Sequence, residues 1–206
     1  YYHYQKVNIS CMRRVSFVII LFLGSCANNS TVSDGETHKP WMSEEDAFTQ
    51  RQIVGNYFVE VKYIPIAVMV ENAYGVISKD EYARREKEYN TFRYFTVKIG
   101  LVSGRSNILK ENLAETGLYQ LRLDYFLKGQ DLFKLNSENK SFNCSLYHFE
   151  RYYNTVPFDK ILLGFPQEAF EGSDTRISCV FNDKLLGLGL LTFNFDKTKF
   201  VNTTKI

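Results

Sequence analysis

Alternating apolar and polar positions dominate the chain from residue 57 onward. Tyr57, Val59, Val61 and Tyr63 fall on one face of an eight-residue run that Pro65 closes, which predicts a half-buried strand. Phe95, Val97, Ile99 and Leu101 repeat the pattern. So do Tyr119, Leu121, Leu123, Tyr125 and Leu127, with Gln120, Arg122 and Asp124 opposite. Further strands are predicted at Phe133 and Leu135, over 142–149, 161–165 and 177–181, and over 190–195. In the last of these Leu191, Phe193 and Phe195 oppose Thr192, Asn194 and Asp196. Turn residues separate the runs at 128–130, 171–174 and 182–183.

Two stretches read as helices. Ser43, followed by Glu44, Glu45 and Asp46, fits a cap with acids in the first turn, predicting a helix to about Val54 that ends at Gly55. Ser78 and Glu81 form a capping box before a run of good helix formers, predicting a surface helix over 79–90. Ile66 to Val70 is too short to classify. About eight short strands with one or two helices define a mainly β fold, an antiparallel sandwich of Ig-like or jelly-roll-like form. An α+β fold with a twisted antiparallel sheet is the alternative. Strands and helices do not alternate regularly, which argues against a doubly wound sheet.

The N-terminal part has a different character. Arg13 and Arg14 follow Met12, Val15 to Leu23 is apolar except for Ser16, and Gly24 and Ser25 are small. This order is that of a secretory signal, and its apolar run is too short to span a bilayer. The exit Leu23-Gly24-Ser25-Cys26 resembles the lipobox of bacterial lipoproteins. The resemblance covers about fifteen residues and implies cleavage before Cys26, which would carry the lipid. An ordinary cleaved signal is the alternative. Residues 1–11 then form an upstream extension, 12–25 the signal, 26–40 a small, polar tether, and 41–206 one β-rich domain. The resemblance also implies the cell envelope as location, and Ala27 after the lipid cysteine favours the outer membrane.

Composition follows from that division. Residues 1–25 hold Lys6, Arg13 and Arg14 and no acid, so the 25 Lys and Arg of the full chain fall to 22 against 23 Asp and Glu, near −1. A basic face for nucleic acid is not indicated. Cys144 and Cys179 remain as thiols of the domain. They could pair in an oxidising compartment, or serve as small buried apolar side chains.

Catalytic and metal signatures are sparse, and no catalytic residue, metal or cofactor is assigned. The sequence holds no HExxH, no CxxC pair and no GxSxG. Gly187-Leu188-Gly189 reads as a turn or bulge. His148, Glu150 and Tyr152 would share one strand face, most simply as a solvated face with a local ion pair. Three functional expectations follow. The first is a lipid-anchored, non-enzymatic module that binds or assembles protein partners in the envelope. The second is a carbohydrate-binding module using exposed rings, and the third is a hydrolase with a deep polar pocket.

Overall fold

Residues 48–111, 117–152 and 155–201 are described by the structure, a computed structural model. Their elements run β1 (Thr49–Val54), β2 (Tyr57–Ile64), α1 (Ile66–Tyr74), α2 (Lys79–Tyr89), β3 (Phe92–Leu101) and α3 (Leu118–Leu127). Then come β4 (Phe133–Ser137), β5 (Lys140–Asn143), β6 (Leu146–Glu150), β7 (Phe158–Pro166), β8 (Arg176–Asn182), β9 (Leu190–Asp196) and α4 (Thr198–Val201). The signal, Cys26, the tether and the Ser43 cap lie outside the described residues.

The fold is mainly β, with two antiparallel sheets in a sandwich-like arrangement. One sheet has the order β1-β2-β3-β7-β6 and the other β5-β4-β8-β9. The longest alternating runs form the centre of the first sheet: Val61 pairs with Val97, and Val97 with Ile161. In the second, Leu135 pairs with Cys179, which pairs with Phe193. Because side chains alternate across a strand, this register turns one apolar row from each strand inward. Val61, Val97, Ile161, Leu135, Cys179 and Phe193 are all buried in one core. Phe95, Phe126, Phe133, Phe165 and Phe181 are fully buried beside them. Each such side chain contributes on the order of 1.5–3 kcal/mol through burial.

The predicted surface helix forms as α2, and the Ser78 hydroxyl accepts the Glu81 N–H at 3.3 Å. Arg84 and Arg85 both bridge to Glu81 and Glu88 along its exposed side. Ile66 to Val70 opens α1, which buries Ile66, Ala67, Val68 and Val70.

Three expectations are corrected. Residues 49–54 form strand β1 rather than the end of a helix. Val54 pairs with Tyr57, so Gly55 and Asn56 make a two-residue hairpin turn, with Gly55 at φ 58°. The glycine read as a helix stop is a hairpin turn. The alternating run at 119–127 is helix α3, which buries Arg122, Leu123 and Phe126 and leaves Leu121 and Leu127 half exposed. Those buried positions follow helical spacing, and the period of two is fortuitous. The run at 142–149 is two strands in different sheets. The chain crosses between sheets at Cys144 and Ser145, where the Cys144 thiol donates to Leu146 O at 2.9 Å.

Cys144 and Cys179 are free, buried thiols rather than a disulfide. Burial pushes the Cys144 thiol up to about 11 and the Cys179 thiol higher still. Both act as apolar side chains of the core.

Candidate functional site

In the first sheet β1, β3 and β6 end where β2 and β7 begin, and in the second β8 ends where β4 and β9 begin. The segment after β3, helix α3 and the turn between β8 and β9 meet beside these strand ends, and three buried polar side chains shape them.

Asp183 organises the turn between β8 and β9. Its carboxylate accepts the Tyr125 hydroxyl at 2.7 Å and the backbone N–H groups of Leu185, Leu186 and Leu188 at 2.8–3.1 Å. Gly187 and Gly189 have φ of 77° and 69°, which lets the backbone curl around one carboxylate. Burial, with Asp183 beside it, pushes the Tyr125 phenol well above its ordinary value. Tyr125 therefore stays a neutral donor.

Arg122 fastens α3 to the segment after β3. Its guanidinium donates to Ile108 O at 2.7 Å and to Glu111 O, and lies 3.9 Å from the Glu111 carboxylate. The Tyr57 hydroxyl donates to that carboxylate, and burial is the main cause pushing its phenol up to about 12.

Asp159 on β7 is 2% exposed. It accepts backbone hydrogen bonds from Ile108 and Leu109, and its Oδ2 has no hydrogen-bond partner. Burial outweighs those bonds and pushes its carboxyl up to about 6.

Two concave surfaces result. The first is a groove of about 450 Å³ between α3 and the Asp183 turn. Leu121, Tyr125, Leu132 and Leu185 give it an apolar lining, and Asp124, Asp131, Lys128 and Lys184 supply both charges. Leu121 is 53% exposed. The second is an open cavity of about 410 Å³ between the 104–110 loop and residues 155–157. Arg105, Ser106, Asn107, Lys110 and Thr155 make its wall mostly polar.

The side chains singled out from the sequence fall elsewhere. Glu150 pairs with Lys160 at 3.1 Å and accepts the Tyr152 hydroxyl, while His148 is exposed on the same strand. The solvated face with a local ion pair is therefore what forms. Of the described aromatic side chains, Tyr74, at 37%, is the exposed one, and the Arg85 guanidinium lies 4.2 Å from its ring centre. On the outer face of the first sheet, Arg51 covers Phe58 at 4.2 Å, and the Phe58 ring lies where a Cβ on Gly100 would be. Among the described residues no three His, Cys, Asp or Glu side chains gather to hold a metal ion. No helix among them is long and apolar enough to cross a membrane.

Sequence reasoning did not find Arg122, Asp159 or Asp183. Arg122 read as the polar side of a strand, and Asp183 as a turn residue. The available signal was the pair Gly187 and Gly189 just after Asp183, a spacing suited to backbone wrapping around a carboxylate.

No family model matches this chain, and no curated protein matches it in sequence. A solved structure of a protein of unknown function from Burkholderia pseudomallei K96243 is similar to it. That protein is 8% identical, with a TM-score of 0.35, over 74% of this chain and 81% of the other.

Proposed function

We propose that this protein is a lipid-anchored component of a bacterial cell envelope whose β-domain binds a protein partner without catalysing a reaction. The groove beside α3 carries the reading for the domain. An apolar strip with charges of both signs at its margin has the anatomy of a protein interface. Leu121 and Leu127, 53% and 49% exposed, are large apolar side chains that the domain leaves partly in water. The partner that fits is a segment presenting apolar side chains flanked by lysine and aspartate or glutamate. Cys26 and the run before it support the anchor, and Ala27 favours the outer membrane.

Two experiments test the two halves separately. Labelling cells with a palmitate analogue should mark the wild-type protein and leave Cys26→Ala unlabelled; label retained in the variant removes the anchor. A photo-crosslinker at position 121 should trap one specific envelope protein, and Leu127→Glu should abolish that adduct while leaving the melting temperature unchanged. Absence of a discrete adduct, or one indifferent to Leu127→Glu, removes the docking surface.

A further inference from the structure

The cavity beside the 104–110 loop has a chemistry that the groove lacks. Its lining contains two cationic side chains, Arg105 and Lys110, and no acidic residue. Among the described residues neither cation has a carboxylate partner, and both are exposed. By contrast Lys160 is answered by Glu150, Lys98 by Glu60, and Arg84 and Arg85 by Glu81 and Glu88. The remaining polar lining adds a donor at Ser106 and an acceptor at Thr155. Ser106 and Thr155 bring hydroxyls, and the Thr155 Oγ1 donates to Tyr152 O at 2.7 Å, which leaves its lone pairs toward solvent. Asn107 Oδ1 is already engaged by the Lys110 N–H at 3.2 Å.

The loop that presents these groups is held from below. Asp159 accepts the N–H groups of Ile108 and Leu109, and Arg122 holds Ile108 O. Arg105 and Lys110 thus flank a backbone fixed at two successive residues, rather than riding on a free loop. A volume of about 410 Å³ lies within the range of small-molecule sites and exceeds what a lone inorganic ion fills.

We propose that this cavity binds a small phosphomonoester, a phosphorylated sugar or polyol. Arg105 takes two phosphoryl oxygens in its planar fork, Lys110 supplies a point charge, and the hydroxyls of Ser106 and Thr155 line the side where the carbon skeleton sits. The assignment is independent of the groove and of any protein partner.

The test is a titration of the full chain in detergent micelles, followed by backbone NMR shifts. The probes are glucose 6-phosphate, glucose and inorganic phosphate at low and high salt. Glucose 6-phosphate should give saturable shifts at residues 104–110 and 155–157 that weaken as salt rises, and glucose should give none. Arg105→Gln with Lys110→Gln should weaken binding by about tenfold or more, because both charge-assisted contacts go. Lys134→Gln, on the surface of β4, should change nothing. Both cations are exposed, so the double variant should keep the wild-type spectrum away from the cavity. Absence of saturable shifts overturns the assignment. So does equal affinity for inorganic phosphate, or equal loss in Lys134→Gln.

Discussion

The two ends of the sandwich are held by different forces. Where β1 starts, Phe48, Tyr63, Phe170 and Phe200 meet Phe95 and Phe195, and the rings of Tyr63 and Phe200 stack 3.9 Å apart. At the opposite end buried charges seize backbone: Arg122 takes carbonyls, while Asp159 and Asp183 take N–H groups. Ring packing there fills space with side chains. The loop-bearing end keeps its connections in curved paths by satisfying their polar groups from beneath. It thereby retains a groove and a cavity. Holding by rings is indifferent to pH, and holding by ionisable groups is not.

Removing a ring should do the most damage. Phe95→Ala deletes a fully buried side chain touching four other rings, and should cost about 3–5 kcal/mol in urea unfolding. A loss below 1 kcal/mol would mean that the rings at this end are not the tight core described. Asp183→Ala should cost somewhat less, about 2–4 kcal/mol, because three backbone N–H groups and the Tyr125 hydroxyl lose their acceptor. Its mark is regional. Amide exchange should accelerate at residues 185–188 well before it does in β3 or β7, and uniform acceleration would show that the ends are not separate.

Asp159 sharpens the contrast through pH. Its folded carboxyl titrates at about 6, above the ordinary 3.8, so the fold holds this proton more tightly than the unfolded chain does. The contribution is complete below about pH 3.8 and is lost as the pH rises through 6, a difference on the order of 3 kcal/mol. Asp159→Asn should flatten that part of the stability profile between pH 4 and 7; an unchanged slope would assign it to other groups. The smallest effect lies in α2, on the connection between β2 and β3. Ser78→Ala removes the α2 cap and should cost about 1 kcal/mol, equally at all pH values from 5 to 8.

Apolar alternation made most of the sheet legible, because at β2, β7, β8 and β9 one row is buried and its neighbour is more exposed, while β3 buries Tyr94 and Thr96 of the second row too. The same criterion failed at α3. There Leu121 and Leu127 complete an apolar alternation yet lie on the exposed side, while Arg122 goes inward to backbone carbonyls that local sequence cannot reveal. Ser78 with Glu81 announced α2, since a cap is a local interaction. The loop-bearing end was nearly illegible for the opposite reason. Tyr125 and Asp183 are 58 residues apart, Tyr57 and Glu111 are 54, and only the packed sheets bring them together.

The contact between β1 and β9 has a bearing on solubility. These are edge strands of different sheets, and the Gln52 side chain reaches across to donate to Thr192 O at 2.7 Å. An open strand edge invites another chain to zip onto it, and repeated pairing of that kind is how fibrils grow. Here each edge shields the other, and an amide side chain occupies a carbonyl that an incoming strand would need. Crowding many copies together should then leave them as individual particles along this seam.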